Sequence, residues 1–179
     1  MEAALLELSH EDMCAALEGV LKRVFADFDS LQSLERLSGG ASQETYRIEL
    51  LRANEPQVLA MRRASGGVEG ELTAAHPGLA VEAQLMQAAA NAGVPEPRVH
   101  YVLEPEDGLG AGFIMQWLEG FTLGAQIVKA PELDEIRPHL ARRCGEVLAR
   151  IHGIDLAASG LDEKPVSYTH LRAHETPVN

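Results

Sequence analysis

Three groups of side chains in this sequence have the types and spacing to manage a phosphorylated ligand. Gly39-Gly40-Ala41-Ser42 is a turn whose glycines let backbone N–H groups approach an anion, with the Ser42 hydroxyl as a further donor. A plain Gly-Gly hairpin turn explains the same residues without a ligand. Leu59-Ala60-Met61-Arg62 alternates along a strand, so Ala60 and Arg62 share a face. A small residue beside a cation suits a flat base with its phosphates close by; a solvated arginine at a strand end is the plainer alternative. Glu82 follows Arg62 by 20 residues on the next helix, where it can pair with the guanidinium across the sheet. Helical glutamates are more often simply solvated.

These residues need elements to position them. Ser9 is a candidate cap for an amphipathic helix of about four turns carrying Met13, Leu17, Val20, Leu21 and Val24. A short apolar stretch at 31–37 leads into the glycine turn. Tyr46, Ile48 and Leu50 then alternate with polar residues, which is the period of a strand. Asn54-Glu-Pro56 reads as the next turn and 58–63 as the following strand, completing an antiparallel meander. A loose glycine-rich segment at 65–70 precedes a helix near 79–92, with Val81, Leu85, Met86 and Ala89 on one face and a stop at Asn91-Ala-Gly93. Two more strands, 99–103 and 112–118, flank a turn at 104–110. A helix at about 132–151 carries Leu133, Ile136, Leu140, Cys144, Val147, Leu148 and Ile151 at helical spacing. The order β-β-β-α-β-β-α predicts an α+β lobe with a mainly antiparallel sheet.

Composition narrows the function classes. The 179 residues hold 27 acidic and 15 basic side chains, a net charge of −12. Such a field repels phosphates at long range and argues against nucleic-acid or anionic-membrane binding. Aromatics at 4% make a base-stacking platform unexpected. No apolar run is long enough to span a bilayer, and Met1-Glu-Ala-Ala4 lacks the basic start of a signal peptide. Cys14 and Cys144 share no metal or redox spacing, which fits a reducing cytoplasm and two ordinary buried thiols. The stretch 166–176 has little apolar periodicity and, read as codons, matches one frame of a transposon-end sequencing adapter. Residues 166–179 are therefore set apart as a non-native tail. His170 and His174, four apart there, have the spacing of a metal pair but no third ligand nearby.

The order of the motifs resembles the ATP-binding lobe of the protein-kinase-like superfamily, and more narrowly the aminoglycoside phosphotransferase family. Within that family it is most similar to the phosphotransferase-like domains fused to acyl-CoA dehydrogenases. The resemblance rests on Leu37-Ser-Gly-Gly-Ala-Ser-Gln-Glu-Thr-Tyr46, Leu59-Ala-Met-Arg-Arg63, Ala92-Gly-Val-Pro-Glu-Pro97, Phe113-Ile-Met-Gln-Trp-Leu-Glu-Gly120 and Leu148-Ala-Arg-Ile-His-Gly-Ile-Asp155, in that order.

The resemblance implies roles. Gly39, Gly40 and Ser42 would lie over the phosphates of ATP, and Ala60 would roof the adenine pocket. Arg62 stands where such kinases usually carry a lysine that contacts phosphates and pairs with the helix glutamate, here Glu82. Met115 would guard the back of the pocket, and the backbone of Gln116, Trp117 and Leu118 would form the hinge to adenine. Trp117 fills the crevice between lobes equally well. The implied chemistry is transfer of the γ-phosphate of ATP, with Mg2+, to the hydroxyl of a small molecule in the cytoplasm.

Two departures qualify it. Arginine at position 62 is bulkier and forked compared with lysine. The family's His-Gly-Asp-x-x-x-x-Asn loop is absent. His152-Gly-Ile-Asp155 imitates it with an extra residue, and Gly160 stands where the asparagine belongs. His152 is expected to be a capping or core residue. The expected organisation is a nucleotide-binding N-lobe at 1–118, a hinge and the start of a helical C-lobe at 119–165, and the tail at 166–179. The expected magnesium ligands and acceptor pocket belong to a C-lobe that these residues only begin, which leaves the apolar side of the last helix exposed. A non-catalytic kinase-like scaffold and an unrelated α+β protein are the alternatives.

Overall fold

In the computed structural model of the chain, the described residues are 8–38, 43–73, 76–155 and 157–161. The fold is α+β: a five-stranded, wholly antiparallel sheet with helices on both faces. The helix α1 (His10–Val24) is capped by Ser9, whose hydroxyl accepts from the Asp12 amide at 3.1 Å. Strands β1 (Phe28–Arg36), β2 (Gln43–Arg52) and β3 (Glu55–Ala64) form the meander. After α2 (Leu79–Asn91) come β4 (Val99–Val102) and β5 (Gly112–Gln116), giving the spatial order β1-β2-β3-β5-β4. Pairing of β1 with β2 is interrupted between Phe28 and Ser30 and again between Leu31 and Ser33. Asp29 and Gln32 thus bulge out of register.

Period-two alternation builds three layers. Tyr46, Ile48, Leu50, Leu59, Met61 and Ile114 point to one face and pack against Leu17, Val20 and Leu21 of α1. Ala64 and Phe113 point to the other face, where Leu79 and Ala83 of α2 cover them. Adjacent residues of β3 therefore serve opposite faces, which is what gives Ala60 and Arg62 a common side.

Several local expectations need correction. The β2–β3 turn is Ala53-Asn54, one residue tighter than expected, with φ of 49° and 64° and Arg52 opposite Glu55. Such a two-residue loop with two positive φ values matches the twist of the strands, and Pro56 already lies in β3. The inward stripe of α2 is Leu79, Ala83 and Ala89, with Met86 packed beside it, while Val81 and Leu85 are only half-buried. Strand β5 stops at Gln116 rather than running to Leu118. The expected helix at 132–151 is broken: single 3-10 turns occupy Pro131–Leu133 and Arg137–His139, and α4 spans only Leu140–His152. Pro138 lacks the N–H and clashes with the preceding turn, so the helix starts after it. A short helix α3 (Gly124–Lys129) was not anticipated.

Cys144 is exposed and Cys14 half-buried, against the expectation of two buried thiols. His152 is an exposed residue at the end of α4, with Gly153 as the cap, and is neither core nor capping. The exposure of Cys144 and His152 has one cause: α4 has no buried residue, and Leu148 and Ile151 face solvent among the described residues. The tail at 166–179, with His170 and His174, lies outside the described residues.

One core contact makes stability depend on pH. The His100 ring meets the Phe25 ring edge-on, with centroids 5.4 Å apart. Burial, and then the nearby Arg98 and Arg52 charges, hold the imidazole below its ordinary 6.5. The unfolded chain therefore binds the proton more readily, so stability is complete above 6.5 and declines as pH falls below it. His100→Gln is expected to flatten the slope of urea midpoints between about pH 7 and 5. An unchanged slope would assign the titration elsewhere.

Candidate functional site

The face of the sheet that carries α2 collects most of the predicted site residues. Arg47, Ala60 and Met115 lie side by side across β2, β3 and β5, and Thr45, Arg62 and Phe113 form the next row. Ala60 is buried, at 4% exposed, and Met115 half-buried, and the two form an apolar floor to this face of the sheet. Arg62 forms an ion pair with Glu82 through Nη1, and its Nη2 donates to Gln43 Oε1. Its guanidinium also lies 5.9 Å from the Phe113 ring centroid. The structure thus brings Ala60, Arg62, Glu82 and Met115 to one side of the sheet. The glycine turn with Gly39, Gly40 and Ser42 lies outside the described residues.

The expected hinge follows directly. The Gln116 amide donates to the Arg98 carbonyl at 2.8 Å, so this N–H belongs to the sheet. Trp117 is half-buried, and its Nε1–H donates to Glu119 at 2.6 Å. Leu118 is 53% exposed. Arg47 lies over the Trp117 ring, 5.5 Å from its centroid, and pairs with Glu49. The apolar floor is consequently bordered by the forked cation Arg62 at one end and by Trp117 under Arg47 at the other.

Sequence reasoning missed three residues here. Gln43 and Arg47 share the alternation that places Thr45 on this face, and that period was legible once Tyr46, Ile48 and Leu50 were assigned inward. Phe113 belongs to a quoted motif but went without a role. A cavity of about 470 Å³ opens beside the Arg62 partners, lined among others by Gln43, Glu69, His76, Leu79, Glu82 and Leu85. It lies on the α2 side of the ion pair and does not include Ala60 or Met115. The cavity therefore adjoins the Glu82 end of the ion pair.

On the opposite face, directly behind Arg62, lies a buried polar network. Arg63 is 2% and Glu44 7% exposed, and Arg63 Nη1 donates to Glu44 Oε2 at 2.7 Å. Arg63 Nε donates to the Leu109 carbonyl at 2.6 Å. The Tyr46 hydroxyl donates to the same Glu44 oxygen at 3.0 Å, the Gly66 amide approaches Oε1 at 3.5 Å, and Arg36 pairs with Oε1 at 3.3 Å. Burial pushes the Glu44 carboxyl up, but the bonds from Arg63, Tyr46 and Gly66 outweigh it and hold the group below its ordinary value.

The arrangement sets a small apolar residue, Ala60, beside a forked cation, Arg62, on one face of the sheet. Among the described residues no three His, Cys, Asp or Glu side chains converge to hold a metal ion, and no helix is long and apolar enough to cross a membrane. Residues 33–176 match the family described as the phosphotransferase enzyme family. The chain is similar to the mouse (Mus musculus) protein acyl-CoA dehydrogenase family member 10, with 32% identity over 153 residues. That match covers 82% of this chain and 13% of the mouse protein.

Proposed function

The chain belongs to the phosphotransferase enzyme family, and from that premise we propose that it is the nucleotide-binding lobe of an ATP-dependent kinase acting on a small-molecule hydroxyl in the cytoplasm. The observation that carries this reading is the Arg62–Glu82 ion pair standing on the same sheet face as Ala60. Ala60 and Met115 fit the base, the backbone at 116–118 borders it, and Arg62 with the turn at 39–42 meets the phosphates. When bound, ATP supplies a transferable phosphoryl group with ADP as the leaving group.

The residues' own work is binding and orientation. Glu82 and Gln43 engage the two terminal nitrogens of Arg62 and fix the direction of its fork. A guanidinium has five N–H donors, so this anchoring leaves donors for an anion. Among the described residues no three His, Cys, Asp or Glu side chains gather to take magnesium. The groups that would hold it and orient the acceptor hydroxyl are not among Ala60, Arg62, Glu82 and Met115. We assign them to the helical lobe that 119–165 begins, with 166–179 as a foreign tail.

Titrating this chain with ATP in a calorimeter tests the proposal. Saturable ATP binding without acceptor-dependent ADP release is expected. Failure to bind ATP would overturn the nucleotide reading, and ADP release would overturn the assignment of the catalytic groups elsewhere. A non-catalytic nucleotide-binding or scaffold module is the second reading, favoured by Arg62 standing where such kinases usually carry a lysine.

A further inference from the structure

We propose that Glu44 is a positioning residue for nucleotide phosphates, acting through the sheet from the face opposite to Arg62. The inference rests on the nucleotide reading above and assigns a new role within it. Glu44 pairs in register with Arg63, and Thr45 with Arg62. The neighbouring Gln43 reaches Arg62 on one face while Glu44 reaches Arg63 on the other. Strands β2 and β3 are therefore clamped from both sides at the end that carries the phosphate cation.

The same carboxylate gathers the surroundings of that end. Arg36 at the end of β1 pairs with it, so β1 and the start of β2 are joined there. The Leu37 amide donates to the Thr45 carbonyl at 2.8 Å beside this junction. Gly66, just beyond β3, approaches the carboxylate from the third side. A single acid thus references β1, β2, β3 and the following turn to one another.

Energetics favour a geometric role over a purely stabilising one. A buried ion pair seldom outperforms well-packed apolar residues of the same volume, because desolvation cancels most of the attraction. What the pair does provide is register. A slip of one residue between β2 and β3 would send Arg62 to the α1 face, away from Ala60 and Glu82. A smaller rotation would misdirect its fork while leaving the apolar floor at Ala60 and Met115 intact.

The distinguishing experiment compares ATP with adenosine, which shares the base and lacks the phosphates, in calorimetric titrations of the 179-residue chain. Glu44→Gln is expected to weaken ATP binding about tenfold, the loss of roughly one charge-assisted contact, and to leave adenosine affinity unchanged. The double variant Glu44→Gln/Arg63→Met removes both charges, avoids stranding a buried cation, and is expected to show the same selective loss. Equal weakening of both ligands, or no weakening, overturns the proposal. If neither variant folds, the network is a folding element and the positioning role is rejected. A wild-type chain that binds neither ligand refutes the nucleotide reading itself and this role with it.

Discussion

Replacing Arg62 with methionine is expected to lower ATP affinity by about 10- to 100-fold while the chain stays folded. That range follows from losing one hydrogen bond to a charged group, worth about 1.5–3 kcal/mol. Methionine keeps most of the aliphatic stem against Phe113. Glu82, left without its partner, is about one-third exposed and can be solvated. Arg62→Lys retains the charge but not the fork, so it should recover only part of the affinity. Glu82→Gln should have a smaller effect than Arg62→Met, because it loosens the orientation of the cation without removing it. Calorimetry with ATP and circular dichroism separate binding from folding. An Arg62→Met chain that binds ATP like the wild type would remove Arg62 from the phosphate site.

Gly110→Ala should be the most destabilising of the single-methyl additions considered. Gly110 has φ of 77°, and an added Cβ would fall into the backbone of Gly67. That contact cannot relax by swinging a side chain aside. The Ala111 amide holds the Gly67 carbonyl at 3.0 Å, the Ala64 amide donates to the Ala111 carbonyl at 2.9 Å, and Arg63 holds Leu109. The left-handed backbone costs an alanine about 1–2 kcal/mol and overpacking a further ~1–3 kcal/mol. A total of about 3 kcal/mol lowers Tm by roughly 6–12 °C in a chain of this size. Gly108→Ala is the control. Its φ of 69° is equally left-handed, yet nothing lies within 4 Å of the added carbon. It should lose only the backbone component, about 1–2 kcal/mol. Equal losses in the two variants would show that the close approach to Gly67 contributes nothing.

Much of the lobe was legible because its elements follow simple periods. Tyr46, Ile48 and Leu50 alternate cleanly, and the inward set on β2 is the one the structure shows. Ser9 announces α1 by its side-chain chemistry, and Gly93, with φ of 79°, marks the exit from α2. The Arg62–Glu82 contact was foreseeable from alternation on β3 and one turn into a helix. What stayed hidden depends on partners distant in sequence. Alternation sends Arg62 and Arg63 to opposite faces, but nothing local shows that the Arg63 charge can be sealed behind the sheet. The pairing of Glu44 with Arg63, with further partners around both, makes burial of the two charges tolerable, and that pairing is fixed by register. The α2 stripe was misjudged because alanines carry its packing: Ala83 is fully buried while the larger Leu85 lines a cavity. Helical spacing at 133–151 concealed Pro138, where a missing amide overrules the apolar period.

The interrupted pairing of β1 has a consequence for assembly. Sheet order leaves β1 and β4 as the two rims, and a rim with regular unpaired amides and carbonyls invites a strand from another chain. Here β4 is only four residues long. The outer row of β1 is broken at Asp29 and Gln32, and Glu35 and Arg36 keep charge at its exposed end. Strand addition is thereby discouraged at both rims. Among the described residues the apolar side chains that face solvent, such as Leu123, Val128, Leu148 and Ile151, belong to neither rim strand.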